Sequence, residues 1–116
     1  MSEIRLKKIE SLLTSEISTL IRQKVKDPRV PSLATITHLT VSKDIKHAKV
    51  YISMYGEDEM RRQCVEALNH ASGFIHKSLR KRLRLKSIPR LLFLDDHSIE
   101  EGVHITQRIK EIFEES

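Results

Sequence analysis

The chain has 116 residues, of which 39% are hydrophobic and only 4% aromatic, a length that suits one compact domain with an aliphatic core and no large enclosed cleft. With 21 Lys and Arg against 16 Asp and Glu the formal charge is +5, and 3 Gly and 3 Pro exclude collagen-like and Gly- or Pro-rich disordered classes. A single cysteine, Cys64, excludes an internal disulfide framework, the charges from Glu3 to Glu10 leave no signal-peptide h-region, and no apolar run reaches the roughly 20 residues of a spanning helix, so a soluble, cytoplasmic protein is expected.

The first element is an amphipathic helix over residues 4–25, with Leu6, Ile9, Leu13, Ile17 and Leu20 spaced by three and four and Leu12, Ile21 and Val25 widening the stripe. Pro28 and Pro31 end it. A strand from Leu33 to Val41 follows, then the polar turn Ser42-Lys43-Asp44. From Ala48 to Tyr55 the pattern alternates, with Ala48, Val50, Ile52 and Met54 on one face and Lys49, Tyr51, Ser53 and Tyr55 on the other, which predicts an antiparallel hairpin. Gly56 closes the strand. A second helix carries Met60, Cys64, Ala67, Leu68 and Ala71, and a third carries Ile75, Leu79 and Leu83. Between them Ala71-Ser72-Gly73 reads as a break, because glycine costs a helix about 1 kcal/mol relative to alanine. Ile88 to Leu94 reads as a short buried strand. Ser98 and Glu101 form a capping box ahead of Ile105, Ile109, Ile112 and Phe113, giving a final acidic helix at about 98–114. The order α-β-β-α-α-β-α predicts an α+β domain spanning 1–116, with a core of about 4–96 and helices on one face of a three-stranded sheet.

Charge is unevenly placed. Residues 1–94 hold 19 basic and 9 acidic side chains, a net of +10, whereas residues 95–116 carry −5. Between Lys77 and Arg90 there are seven basic residues and no acid. At 100° per residue, Lys77, Arg80, Lys81 and Arg84 fall opposite the apolar stripe and form a ridge suited to a polyanion, the bland alternative being a solvated helix face. Arg82 falls beside the stripe. Lys43, Lys46, His47 and Lys49 form a second basic group, with Tyr51 and Tyr55 placed either to stack on unpaired bases or to pack under another element.

Candidate chemistry is sparse. Cys64 lies on a buried stripe, as a small hydrophobe rather than a nucleophile. The six histidines show no metal-ligand spacing, and no nucleotide-binding glycine motif is present. Asp95 and Asp96 could hold an ion or act as an acid-base pair, but neighbours on a strand point to opposite faces. No enzyme, cofactor or metal is expected.

Several strings together resemble the bacterial ribosome-binding factor A family: Asp27-Pro28-Arg29, the hairpin run from Val41 to Tyr51, Ala71-Ser72-Gly73, and Ile88-Pro89-Arg90-Leu91. The resemblance covers roughly residues 4–112. It implies a KH-like domain of type II, with the third strand parallel to the second and an A-x-G helix kink in place of the G-x-x-G loop that clamps single strands. It further implies binding to the immature 30S subunit through 16S rRNA, help in late maturation including processing of the rRNA 5′ end, a role in cold adaptation, and release by a ribosome-associated GTPase. A monomer is expected. The RNA-binding residues then read as Lys77, Arg80, Lys81 and Arg84, with Lys43, Lys46 and Lys49 as a second phosphate group and Ser72 and Gly73 as the kink that orients them. Arg5 and Arg29 are added from the family pattern. The rival reading is a protein-interaction adaptor that uses the acidic carboxyl-terminal helix.

Overall fold

The computed structural model describes residues 3–31 and 34–96. The expected capping box at Ser98 and Glu101, the acidic helix at 98–114 and the expected start of the first strand at Leu33 lie outside the described residues.

The elements run α1 (Glu3–Lys24), β1 (Thr35–Val41), β2 (His47–Ser53), α2 (Asp58–His70), α3 (Ser72–Arg82) and β3 (Arg90–Asp95). The sheet order is β1-β2-β3, with β1 antiparallel and β3 parallel to the central β2. Alternation in β2 sends Ala48, Val50 and Ile52 inward, with Met54 just beyond the strand also buried. In register they meet Val41, Leu39 and Ile36 on one side and Leu91 and Phe93 on the other. Leu13, Ile17 and Leu20 of α1, Cys64 and Leu68 of α2, and Ile75 and Leu79 of α3 cover this face in one cluster. Full burial of each large aliphatic stabilises the fold by roughly 1.5–3 kcal/mol. The opposite face, which no element among the described residues covers, carries His38, Thr40, Lys49, Tyr51 and the half-exposed Leu92.

Helices α1 and α2 each pack against an edge strand and bond to it. The Val41 N–H of β1 donates to Glu10 Oε2 at 2.8 Å. On β3, the Phe93 N–H donates to Asn69 Oδ1 at 2.8 Å, while Asn69 Nδ2 donates to the Phe93 carbonyl at 2.9 Å.

Two residues depart from the expected stripes. Met60 is 51% exposed because the first turn of α2 sits over Gly56 and Met54 rather than over the sheet. Arg61 is buried instead, reaching Asp58 and lying 3.6 Å from Asp95. Leu12 likewise is exposed on α1. Gly56 has φ 152°, and a Cβ there would come within 3.4 Å of Met60, so the end of β2 requires glycine.

Candidate nucleic-acid interface

Parallel pairing sets the first residues of β2 and β3, His47 and Arg90, side by side, and the Arg90 N–H donates to the Lys46 carbonyl at 2.9 Å. This pairing brings the hairpin turn against the α2–α3 junction. Between them lies an open cleft of about 720 Å³, with Lys46 and His47 on one wall, Ser72, Gly73 and His76 on a second, and Ser87 and Arg90 on a third. No carboxylate lines it among the described residues. His76 donates from Nε2 to the Ile88 carbonyl at 2.9 Å, tying α3 to the segment that leads into β3.

The hairpin wall is held in a costly conformation. Ile45, a β-branched residue, sits at φ 59°, which costs roughly 1–3 kcal/mol and persists only where surroundings fix it. The surroundings are specific. The Ser42 hydroxyl donates to Asp44 Oδ1 at 2.6 Å and accepts from the His47 N–H at 3.1 Å, while the Lys46 N–H donates to Asp44 Oδ1 at 3.1 Å. The bond from Ser42 first, then that from Lys46, with the nearby Lys46 and His47 charges, hold the Asp44 carboxyl below the usual range. Lys43 and Lys46 therefore project from a fixed turn, both exposed.

The junction wall turns at Ala71 alone. With φ −86° and ψ 0°, Ala71 ends α2 and starts α3, donating to the Ala67 carbonyl and accepting from the Ile75 N–H, each at 3.0 Å. The chain bends without losing these bonds. Gly73 is not the bend: it is the second residue of α3, and a Cβ built on it meets nothing within 4 Å. No side chain caps the first turn of α3, where Ser72 and Gly73 face the cleft.

Lys77, Arg80 and Lys81 are exposed on α3, which contains no acid. Arg84 is not part of that helical ridge, because Leu83 is extended at φ −111°, ψ 141° and α3 ends at Arg82. Arg84 instead lies exposed on the segment leading to β3. Arg82 pairs with Glu16 of α1 at 2.8 Å. Lys49 faces out of the open sheet between Thr40 and Leu92. The bond from Val41 to Glu10 places the start of α1, and so Arg5, at the hairpin end. Arg29 belongs to a different region: its guanidinium holds both oxygens of Asp27 at 3.1 and 2.8 Å, close enough to α2 to feel the charge of Glu66. Those Arg29 bonds hold the Asp27 carboxyl at about 2.

The tyrosines are split from the cleft. Tyr51 tilts against His38 with ring centroids 5.7 Å apart, and Tyr55, 87% exposed, lies beyond the other end of β2. The aromatic that does stand at the junction is Phe74, half-exposed beside Gly73. Phe74, His76 and Arg90 escaped sequence reading as site residues. Phe74 was findable, since it falls 100° off the Ile75 stripe, but the roles of His76 and Arg90 depend on the register of β2 with β3.

Catalytic alternatives lose their geometry. Burial, with the charges of Asp95 and Asp27, pushes the Cys64 thiol up to about 11. Asp95 turns toward Arg61, while Asp96 accepts from the Thr37 hydroxyl, so the two carboxylates diverge. No group of three His, Cys, Asp or Glu side chains that could hold a metal occurs among the described residues.

Sheet order, junction and cleft define a KH-like α+β domain of type II whose helix pair turns at an A-x-G kink. Residues 5–109 match the family Ribosome-binding factor A. The chain belongs to that family, whose members are ribosome-binding factors rather than enzymes. It is 37% identical over 110 residues to ribosome-binding factor A of Caldanaerobacter subterraneus, covering 95% of this chain and 90% of the relative. Among solved structures it is similar to a Thermotoga maritima putative ribosome-binding factor A, with TM-score 0.73 and 34% identity over 86% of this chain and 94% of the other. It is also similar to a homology model of Thermus thermophilus RbfA as fitted into a cryo-EM map of a 30S–RbfA complex, with TM-score 0.64 and 29% identity over 78% of this chain and 93% of that one.

Proposed function

We propose that this protein is a non-catalytic assembly factor that binds the immature 30S subunit through 16S rRNA, with the cleft between hairpin and helix junction as its phosphate-binding centre. The observation that carries the reading is the convergence of Lys46, His47 and Arg90 with the uncapped start of α3 around an open cleft that no described carboxylate lines. First-turn N–H groups and basic side chains together suit a phosphodiester. Lys43, Lys77, Arg80, Lys81 and Arg84 extend the positive surface on both sides, Lys49 carries it onto the open sheet, and Arg5 adds to it at the hairpin end. Arg29 contributes less, because Asp27 already neutralises it.

Methyl and hydroxymethyl groups at Ala71 and Ser72 stand where the ordinary KH loop has glycine, so the surface suits structured RNA rather than a clamped single strand. Assistance in late maturation, including 5′-end processing and growth in the cold, follows if the protein binds a precursor conformation more tightly than the mature one and shifts that equilibrium. It acts as a cytoplasmic monomer and is released by a ribosome-associated GTPase.

The test is co-sedimentation of the tagged protein with 30S subunits, followed by cross-linking to the bound RNA. The Lys46→Glu, Arg90→Glu double variant should leave the 30S peak while keeping a wild-type circular dichroism spectrum. Normal co-sedimentation of that folded variant would reject the cleft.

A further inference from the structure

We propose that Phe74 is a stacking platform for an unpaired nucleobase of the bound RNA, with Lys77 and Lys81 on the same helix face holding the adjoining phosphates. The inference rests on the RNA-binding reading and adds to it a base contact on a different face of α3 from the cleft.

Phe74 lies outside the core cluster and is 50% exposed, although neighbouring Ile75 is fully buried. An exposed phenyl forgoes the stabilisation that burial would give it. Turning 100° per residue, Phe74, Lys77 and Lys81 share one side of α3, whereas Gly73, His76 and Arg80 share the side toward the cleft. Residues three apart on a helix have Cβ atoms roughly 5–6 Å apart, within reach of one nucleotide for a lysine beside a stacked ring. Neither Lys77 nor Lys81 makes an ion pair among the described residues, and α3 itself holds no acid.

The occupant follows from the surroundings. A protein hot spot sits in a contiguous apolar patch, but Phe74 is the lone exposed apolar side chain on α3 and its row is completed by cations. Every base offers a π-face to an aromatic ring, and its phosphates match the two ammonium groups.

The chain contains no tryptophan, so Phe74→Trp places a single tryptophan at the junction, excited at a longer wavelength than the two tyrosines absorb. Phe74→Trp and Phe74→Leu are titrated against a stem-loop RNA with an unpaired loop and against purified 30S subunits, with folding checked by circular dichroism. Stacking predicts that the tryptophan emission is quenched on binding and that Phe74→Leu, which keeps apolar bulk but no π-face, weakens affinity about 5- to 150-fold. The salt dependence of Phe74→Leu stays that of the wild type, since no charge is removed. Wild-type affinity for Phe74→Leu, or emission unchanged when RNA binds, overturns the proposal. The Lys46→Glu, Arg90→Glu protein separates the two readings: if it loses RNA while Phe74→Leu does not, only stacking fails; if both bind normally the cleft fails as the phosphate-binding centre together with stacking; and if the wild-type protein binds neither RNA nor 30S subunits the RNA-binding reading itself fails.

Discussion

Asn69 shows how one side chain can serve two backbone groups. Its amide bonds both the N–H and the carbonyl of Phe93, so Asn69→Ala leaves an edge-strand pair without partners and should lower unfolding free energy by about 1–3 kcal/mol in urea titration. Gly73 is the opposite case. Because its backbone is ordinary and the space around it open, Gly73→Ala should leave stability unchanged or raise it by up to about 1 kcal/mol, while the added methyl narrows the cleft and weakens 30S association. Equal association would show that ligand does not approach there. Two titrating groups give opposite pH limits. Asp27, at about 2 in the fold against an ordinary 3.8, contributes stability that is whole above 3.8 and is lost as pH falls toward 2; Asp27→Asn should flatten that acid limb. Cys64, raised from 9.0 to about 11, contributes stability that is whole below 9.0 and is lost as pH rises through 11, and its thiol should react with iodoacetamide only after unfolding. The Asp27–Arg29 pair is local, but the other couplings are not visible in sequence, because Asn69 and Phe93, like Cys64 and Asp95, are brought together only by packing.

The elements themselves were legible where their signal is local. Period-three-and-four spacing located α1, α2 and α3, strict alternation located β2, and the polar turn implied the hairpin, with α1 and β2 within a residue or two of their expected ends. Short-range chemistry failed where context decides. Glycine at 73 pointed to the right junction for the wrong reason, since the turn is made at Ala71 with its hydrogen bonds intact. Arg84 continued a helical spacing that the extended backbone of Leu83 interrupts. The left-handed Ile45 gave no signal, because a β-branched residue is the last expected at such a φ. Its cost is met by the Ser42 and Asp44 bonds, so Ser42→Ala should destabilise the hairpin by about 1 kcal/mol or more and weaken 30S binding through the displaced Lys43 and Lys46. Unaltered binding with a loosened turn, seen as faster amide exchange at His47, would remove the turn from the site.

At the level of the whole molecule, a modest net charge conceals a polar arrangement. Basic side chains gather where β2 and β3 begin, while Asp58, Glu59, Asp95 and Asp96 gather where the strands end. If about five phosphates are neutralised, the logarithm of the association constant should fall with the logarithm of salt at a slope near −3.5 to −4.5, and a flat dependence would exclude electrostatic docking. The sequence located the basic residues but not the cleft, which exists only because β3 pairs in parallel with β2, a contact between residues about forty positions apart. The bonded edges of the sheet carry a consequence for behaviour in a crowded cell. Glu10 occupies the Val41 N–H and Asn69 both main-chain groups of Phe93, groups that another copy would need in order to add a strand there, so templated growth is blocked at one residue of each edge. Dense populations of the protein should therefore remain dispersed, and the Glu10→Ala, Asn69→Ala pair should bring on β-rich aggregation measurable by thioflavin fluorescence.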